Sequence, residues 1–305
     1  MQKIKLIGTD LSVSPVCLGA AGFGSRIDRD TAFAMLDKFV AAGGNFIDTA
    51  NIYARDRVVG ISRSEEVLGA YLKARPGNPL VIATKGAHYD LTTRADRVNR
   101  VDIEADLDES LRTLGLDCID FYYLHRDDPK IPIEAIVDIL EGFVKAGKIR
   151  YYGGSNYTLE RLLRARRYAA ENGMQGFSAV SNYWTPATEN EGCHRSADKT
   201  LVTCTEQDLA PFAELGIPFI PYSSTARGWF AKGPENAGDK LNAIYDNETN
   251  RALREVILAK AAAEGCPAQT ALLRWMSEHG HEAGLSIIPI TSCNTIEQLE
   301  EVLLF

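Results

Sequence analysis

Short apolar runs alternate with amphipathic stretches along nearly all of the 305 residues of the chain. The apolar runs are rich in branched and aromatic residues, which predicts strands that are buried on both faces. Eight such strands are predicted, at Val16–Leu18, Asn45–Asp48, Leu80–Thr84, Ile119–Leu124, Ile149–Gly153, Phe177–Val180, Ile217–Pro221 and Leu285–Pro289.

The stretches between these runs predict amphipathic helices. In the first, Phe33, Leu36 and Phe39 recur at a spacing of three residues and share one helical face. A second helix is predicted to begin at Ser64, in the manner of a capped helix start. A third has Ile103 facing inward and acidic residues in its first turn, where the helix dipole favours anions. Further helices are predicted near 133–146, 158–171, 206–215, 249–264, 268–278 and 295–304.

Eight strands that alternate with eight or more helices predict an α/β fold, a (β/α)8 TIM barrel. We expect residues 1–305 to form a single barrel domain, with a short N-terminal β-hairpin ahead of the first barrel strand. The competing fold is a doubly wound open sheet, which usually carries a G-x-G-x-x-G turn after its first strand. The glycine-rich segment 18–24 does not fit that motif.

Two long polar connections, at 183–205 and at about 223–247, follow the sixth and seventh predicted strands. Compact domains rarely keep such long loops without a function. In a barrel, these loops would lie at the rim formed by the C-terminal ends of the strands, where active sites form.

Composition and net charge limit the classes of function that the protein could have. Apolar residues make up 45% and charged residues 24% of the chain, as in ordinary globular proteins. The net charge of −8 argues against non-specific binding to nucleic acid or to anionic lipid, because like charges repel. We therefore expect a small-molecule substrate and neither a nucleic-acid nor a membrane partner. The sequence does not define the oligomeric state.

The six cysteines show no C-x-x-C spacing, and no metal-ligand spacing is evident, so we expect free thiols and no metal. Free thiols are typical of a reducing compartment. The N-terminal segment MQKIKLIGTD lacks the apolar stretch of a signal peptide. No run approaches the ~18 uninterrupted apolar residues of a membrane span. We therefore expect a cytoplasmic protein.

Polar side chains follow the predicted strands at their C-terminal ends. Asp48 ends the second strand and Tyr53 follows it closely, whereas Lys85 and His125 end the third and fourth. Each residue alone has an ordinary structural interpretation. The Asp could cap a helix, the Lys could mark where the chain reaches the solvent after a buried strand, and the His could be a hydrogen-bonded structural side chain. An acid, a phenol, an amine and an imidazole at one rim favour a catalytic interpretation.

The four groups make chemical sense together. A phenol has a pKa near ~10, and a neighbouring ammonium is expected to lower it. Asp48 would keep a half-buried Lys85 charged, Lys85 would tune Tyr53, and Tyr53 would donate a proton. His125 would donate a hydrogen bond to the same substrate oxygen. Such a set protonates the oxygen of a carbonyl group while a nucleophile attacks its carbon. A hydride from a nicotinamide would be that nucleophile.

Several longer motifs together resemble the aldo-keto reductase family: GGNFIDTANIY, SEEVLGAYL, VIATKG, DCIDFYYLHRDD, GKIRYYGGSNY and PYSSTARGWF. The resemblance spans nearly the whole chain and implies a barrel fold and a catalytic set of Asp48, Tyr53, Lys85 and His125. It also implies reduction of aldehydes and ketones with NADPH, less often NADH, or the reverse oxidation. The residues that the resemblance assigns to the cofactor, with Ser181 where the family usually has Gln, are Gly22, Phe23, Asp48, Ser155, Asn156, Ser181, Tyr222, Ser223, Ser224, Arg227, Thr291, Ser292, Gln298 and Glu301.

The chain also departs from the family pattern. Ile290 stands where many NADPH-using members have the Lys that binds the 2′-phosphate, so NADH use is a stronger expectation than in most members. From the resemblance we expect the C-terminal segment that often shapes the substrate pocket to be short, and the loop 183–205 to be the candidate to cover the mouth. We expect the substrate pocket to be lined by Phe23, Tyr53, His125, Trp184 and Trp229.

Three functions remain open at this stage. A carbonyl reductase or alcohol dehydrogenase is the first. The second is a non-catalytic nicotinamide-binding subunit on the same barrel, as in potassium-channel β subunits, which resemble this family. The third is a cofactor-free lyase or isomerase. The polar residues of the loop 183–205 favour a hydroxylated, sugar-like substrate: Glu189, Asn190, Glu191, His194 and Arg195.

Overall fold

The structure is a computed structural model that describes residues 1–56, 60–193 and 198–305. Its strands form a two-stranded antiparallel hairpin and a six-stranded parallel sheet in the order β7-β6-β5-β4-β3-β8. The predicted N-terminal hairpin is thereby confirmed. The strands are β1 (Ile4–Lys5), β2 (Ser12–Val13), β3 (Cys17–Gly19), β4 (Phe46–Asp48), β5 (Val81–Gly86), β6 (Ile119–Leu124), β7 (Ile149–Gly154) and β8 (Ile290–Thr291).

Parallel bridges join the outer strands of this sheet into a ring. Gly154 at the end of β7 bridges Val180, which in turn bridges Phe219. Phe219 bridges Ile287, three residues before β8, and β8 pairs with β3. The predicted (β/α)8 barrel is confirmed. The sixth and seventh predicted strands contribute single bridges rather than ladders, and the eighth strand begins just after its predicted range.

The helices pack around this ring. The bounds differ from the predictions mainly between 206 and 245, where short helices replace a longer predicted helix and a predicted loop. The helices are α1 (Arg29–Ala41), α2 (Arg63–Ala74), α3 (Arg100–Leu114), α4 (Ile133–Lys145), α5 (Leu159–Glu171), α6 (Leu209–Ala213), α7 (Trp229–Lys232), α8 (Pro234–Ala237), α9 (Asp239–Tyr245), α10 (Glu248–Glu264), α11 (Ala268–Glu282) and α12 (Ile296–Leu303), with 3-10 turns at Glu206–Asp208 and Ala226–Gly228.

Two apolar cores lie on the two sides of the strands. In β6, Phe121 and Tyr123 belong to the inner core of the barrel, whereas Tyr122 and Leu124 belong to the outer core beneath the helices. This alternation follows from the strand period of two residues. The hairpin residues Leu6, Leu11 and Val13 also belong to the inner core, so the hairpin packs against the interior of the barrel.

Two further differences from the predicted local structure have a clear physical reason. The helix predicted to begin at Ser64 begins at Arg63, because Ser62 is its N-cap and accepts a hydrogen bond from the Glu65 amide. The region 223–247, predicted to be a loop, contains α7, α8 and α9. Helices as short as α7 and α8, with four residues each, leave no apolar period to read in the sequence. Among the described residues, no helix combines the length and apolar composition needed to cross a membrane.

Candidate active site

The strand period explains why the predicted residues converge. In β4, Asp48 lies two residues after the inner-core residue Phe46, and in β5 Lys85 lies two residues after Ala83. His125 follows β6 two residues after Tyr123. Each polar side chain therefore continues the inward-facing row of its strand, at the end where the apolar filling of the barrel stops.

Lys85 connects the acid and the phenol. Its Nζ donates to Asp48 Oδ1, to the carbonyl of Thr49 at 2.9 Å and to the Tyr53 hydroxyl at 3.3 Å. The side chains of Lys85 and Asp48 are only 2% and 4% exposed, so the pair is shielded from water. Three acceptors satisfy the three N–H donors of an ammonium, which keeps this buried lysine charged.

The pKa directions within this group correct one expectation. Burial lowers the pKa of Lys85, but Asp48 and Tyr53 outweigh it and the net shift is upward. Burial raises the pKa of Tyr53, and although Lys85 lowers it, the net shift is upward as well. The predicted effect of Lys85 is confirmed in direction, but burial outweighs it and reverses the net shift of the Tyr53 pKa. Tyr53 remains a protonated phenol at neutral pH, as a proton donor must be.

His125 completes the group on the open side. Its ring lies edge-on to the Tyr53 ring, with centroids 5.6 Å apart, and 4.9 Å from the His88 ring. Burial, together with Arg126, Lys85 and His88, holds the pKa of His125 well below its usual value. His125 Nδ1 is buried and has no hydrogen-bond partner among the described residues. A neutral imidazole therefore lies beside the phenol.

His88 is a second neutral imidazole at the mouth that the sequence analysis did not single out. Its Nδ1 lies 2.9 Å from the Tyr89 carbonyl, so that nitrogen carries the proton. Burial lowers the pKa of His88 to about 4. The only sequence signal was its place three residues after Lys85, in the loop that follows β5.

The N-terminus of α2 holds the turn that carries Tyr53. The Ser62 hydroxyl contacts the carbonyls of Ala50 at 3.0 Å and Tyr53 at 2.8 Å. The Ser64 hydroxyl lies 2.7 Å from that of Thr49 and is buried. The serines of this helix start thus fix both sides of the turn between β4 and α2.

A buried carboxyl supports β5 from the helix side. Glu65 accepts a hydrogen bond from Thr84 at 2.6 Å, and its other oxygen has no partner among the described residues. Burial raises the pKa of Glu65 to about 7, although the Thr84 hydrogen bond lowers it. Thr84 directly precedes Lys85, so this carboxyl lies behind the strand that presents the ammonium.

The residues predicted to hold a nicotinamide carboxamide lie beside His125. Ser155 donates to the Ser181 carbonyl at 2.7 Å, and Asn156 donates to the His125 carbonyl at 3.1 Å. The Tyr222 hydroxyl donates to Asn156 Oδ1 at 2.7 Å. The Ser181 hydroxyl is buried and has no partner among the described residues. The unsatisfied Ser181 hydroxyl fits a carboxamide group, which offers both a donor and an acceptor, whereas the Asn156 amide is already hydrogen-bonded through both its nitrogen and its oxygen.

The other predicted cofactor residues extend from the mouth along the rim. Gly22 and Phe23 are buried after β3, Ser224 donates to the Ile290 carbonyl at 2.8 Å, and Ser223 and Arg227 are exposed. Thr291 is buried and Ser292 is exposed. Gln298 accepts from the Asn294 amide at 2.8 Å, and the Glu301 carbonyl accepts from Thr270 at 2.6 Å. The last two therefore have local structural contacts, and a cofactor role for them stays a prediction.

Unusual backbone conformations concentrate at this end of the barrel. All seven described residues other than glycine with positive φ lie in connections that follow barrel strands, two of them in the 3-10 turn Ala226–Gly228. Such conformations cost of order 1–3 kcal/mol each and cluster at functional sites. These residues are Ala54, Ala87, Arg94, Asn156, Ser223, Ala226 and Arg227. A cavity of about 590 Å³ between α2 and α3 lies at the opposite end and contains none of the predicted site residues.

The predicted pocket aromatics are packed within the protein. Trp184 contacts Phe219, with ring centroids 6.2 Å apart, and Trp229 Nε1 donates to Asn242 at 3.1 Å. Both tryptophans and Phe23 are fully buried in the outer core. These packing contacts account for their positions, and a contact with substrate stays a prediction.

The polar groups that favoured a sugar-like substrate are partly engaged within the protein. Glu189 accepts from Tyr183 at 3.0 Å, and Asn190 donates to the Ala243 carbonyl at 2.9 Å. Glu191 is exposed. His194 and Arg195 lie outside the described residues. The preference for a sugar-like substrate thus gains no support from Glu189 or Asn190.

A buried ion pair, a phenol and a neutral imidazole thus lie together at the end of the barrel where the active sites of (β/α)8-barrel proteins form. A model of the Aldo/keto reductase family matches residues 15–304, and the chain therefore belongs to that family. The resemblance noted in the sequence is confirmed.

Two curated relatives are reductases from fungi. The chain is 26% identical to "Norsolorinic acid reductase stcV" of Emericella nidulans over 95% of this chain and 73% of that protein. It is 27% identical to "Norsolorinic acid reductase B" of Aspergillus parasiticus over 96% of this chain and 76% of that protein. Family and relatives together support an oxidoreductase that reduces carbonyl groups.

Proposed function

We propose that the protein reduces an aldehyde or ketone to an alcohol, or catalyses the reverse oxidation, with Tyr53 as the proton donor and acceptor. The observation that carries this proposal is the Lys85 ammonium, which contacts Asp48 on one side and the protonated Tyr53 on the other. In this proposal the phenol delivers its proton to the substrate oxygen beside an ion pair that is shielded from water.

Each residue has a distinct part in this proposal. Tyr53 donates its phenolic proton to the developing alkoxide, and Lys85 stabilises the phenolate left behind. Asp48 keeps Lys85 ionised inside the barrel. His125, neutral, donates a hydrogen bond that orients the carbonyl oxygen and stabilises its growing charge.

The missing half of the reaction is a hydride, which a reduced nicotinamide dinucleotide would supply when bound. Ser155, Asn156 and Ser181 would hold its carboxamide, and Tyr222 would pack against its ring. We propose NADPH as the cofactor, with NADH as the alternative because Ile290 places no cation at the usual phosphate position. The exposed Arg227 is a candidate phosphate partner.

The substrate class is a small carbonyl compound. The relatives named norsolorinic acid reductase support norsolorinic acid as one candidate, and a sugar-like carbonyl is another. A panel of aldehydes, ketones and sugars, followed at the absorbance band of the reduced nicotinamide with NADPH and with NADH, tests the proposal. Turnover of at least one carbonyl supports it.

Two other outcomes contradict the proposal. Quenching of cofactor fluorescence without turnover of any panel member favours the non-catalytic nicotinamide-binding subunit. Absence of quenching with either cofactor favours a cofactor-free barrel enzyme.

A further inference from the structure

Arg126, the residue after His125, makes contacts that its position in the sequence does not suggest. Its side chain is 11% exposed. Nη1 donates to the carbonyl of His125 at 2.7 Å, and Nε donates to the Thr200 hydroxyl at 2.9 Å. Nη2 lies 3.5 Å from Asp198. One guanidinium thus joins the backbone of His125 to a segment more than 70 residues away.

Asn156 makes a second connection between the same two places. Its Nδ2 donates to the His125 carbonyl at 3.1 Å, and its Oδ1 accepts from the Val202 amide at 3.2 Å. The carbonyl of His125 is therefore the shared acceptor of two side chains, and each of them also holds the segment 198–202.

Asp198 is fixed from several sides. It accepts hydrogen bonds from the Tyr89 hydroxyl at 3.0 Å and from the Thr200 amide at 2.9 Å. Burial raises the pKa of Asp198, but hydrogen bonds from Thr200 and Tyr89 and the charge of Arg126 lower it to about 2. Asp198 is therefore an anion at neutral pH and balances the charge of Arg126.

The Tyr89 ring lies in the same cluster. Arg126 lies 5.6 Å from its centroid and Arg94 lies 4.9 Å from it. A cavity of about 370 Å³ at the rim is lined by Tyr89, Arg94, Asp96, Asp198, Lys199 and Thr200. The segment 198–202 thus lies between this rim cavity and the His125 side of the mouth.

From these contacts we propose that Arg126 is a positioning residue, which fastens the segment 198–202 to the carbonyl of His125 and so fixes His125 and Asn156 together. The proposal rests on the proposed function, since it assigns those two residues to the substrate oxygen and to the cofactor carboxamide. A planar guanidinium is suited to this task, because its fixed N–H groups meet three acceptors at once, which a lysine ammonium on a flexible stem does not.

The charge of Arg126 has a second consequence at the same place. It lies close enough to lower the pKa of His125, as do Lys85 from β5 and His88 from the loop after it. Tyr53 faces His125 from the loop after β4. Loss of the guanidinium therefore both releases the segment and makes His125 easier to protonate.

The test compares Arg126→Gln and Arg126→Lys with Arg94→Gln as the matched control. Arg94 also lies on Tyr89 and lines the rim cavity, but it makes no contact with His125 among the described residues. The first readout is hydrogen–deuterium exchange of the segment 198–204 in the free protein. We expect at least tenfold faster exchange at Val202 in Arg126→Gln and no change in Arg94→Gln.

The second readout separates positioning from mere folding. At saturating cofactor we expect kcat of Arg126→Gln to fall about ten- to a hundredfold, as a displaced reacting group does. The kcat of Arg126→Lys is expected to lie between those of Arg126→Gln and the wild type. In an NMR titration the pKa of His125 is expected to rise in Arg126→Gln and to change less in Arg126→Lys, which retains the charge.

If Arg126→Gln does not fold, Thr200→Val removes the hydroxyl that accepts from Arg126 and donates to Asp198, with little change of shape, and the same readouts apply. Unchanged exchange at Val202, or unchanged kcat in a folded variant, overturns the proposal. The exchange readout needs no cofactor, so failure of the proposed function, seen as a wild-type protein that binds no dihydronicotinamide, is distinguishable from failure of this inference.

Discussion

The Lys85 ammonium donates to the Tyr53 hydroxyl over 3.3 Å, and the pKa of Tyr53 is nevertheless raised. Burial of the phenol disfavours its charged form more than the ammonium favours it. In the free protein, the lysine therefore orders the phenol and leaves it protonated. Its electrostatic effect becomes useful when the proton leaves, because the phenolate that forms is then next to a cation.

Because Lys85 and Asp48 form a buried ion pair, we expect a single variant to lose much more free energy of unfolding than the double variant. Lys85→Met leaves the Asp48 carboxylate without a cation, which is expected to cost about 3–5 kcal/mol of the free energy of unfolding. Lys85→Met combined with Asp48→Asn removes both charges and is expected to recover most of this loss. Urea unfolding at pH 7 measures both. A double variant as unstable as Lys85→Met would show that the pair is not ionised.

Truncation of His125 is expected to slow the reaction while leaving cofactor binding intact. His125→Ala removes an oriented donor whose loss costs about 3 kcal/mol of transition-state stabilisation, or roughly a hundredfold or more in kcat. Steady-state rates with a panel substrate and fluorescence quenching by the reduced cofactor measure the two effects. An unchanged kcat excludes His125 from the chemistry.

The Ser62 hydroxyl is expected to matter for both stability and rate. Ser62→Ala removes the N-cap of α2, which costs about 1 kcal/mol, and it also frees the turn that carries Tyr53. Thr158→Ala is the control, because Thr158 caps α5 in the same way. The melting temperature of both variants should fall by a similar amount, but only Ser62→Ala should lower kcat. Equal rates would show that Ser62 acts as a cap alone.

The Glu65 carboxyl predicts a pH dependence of stability. Its folded-state pKa of about 7 lies above its ordinary value of 4.5, so the folded state binds this proton more tightly. The stabilising contribution is complete below pH 4.5 and is lost as the pH rises towards 7, by up to about 3 kcal/mol. Relative to the wild type, Glu65→Gln should therefore gain stability across this range.

Urea unfolding between pH 5 and pH 8 checks this prediction. Glu66→Gln is the control, since Glu66 is the next residue on α2 and its side chain is 46% exposed. Curves for wild type and Glu65→Gln that run parallel over this range would mean that Glu65 does not titrate there.

The strand pattern predicted the barrel well because buried parallel strands are continuous apolar runs. It also located Asp48, Lys85 and His125, since a polar residue two positions after an inner-core residue must face the same interior. The predicted bounds of strands and helices were wrong where the chain forms single β-bridges or four-residue helices, because elements this short produce no hydrophobic period in the sequence. The sequence does not distinguish Ser62 from Ser64 at the start of α2, because a serine at either position suits an N-cap.

The contacts among distant residues could not be predicted from the sequence. Arg126 meets Thr200, and Glu65 meets Thr84, only because the barrel brings separate loops and elements together. The raised pKa of Tyr53 has the same origin, because the degree of burial depends on the folded mouth and not on neighbours along the chain. The packing of Trp184 and Trp229 is likewise set by the tertiary structure.

The proton-donor role of Tyr53 is tested most directly by Tyr53→Phe in single-turnover reduction at saturating reduced cofactor. Tyr151→Phe is the control, since the Tyr151 hydroxyl donates a hydrogen bond to Asp10 at the hairpin end of the barrel, away from the candidate site. We expect Tyr53→Phe to lose about 10²- to 10⁴-fold in rate, while cofactor quenching stays as in the wild type and in Tyr151→Phe. A Tyr53→Phe rate close to that of the wild type would contradict it.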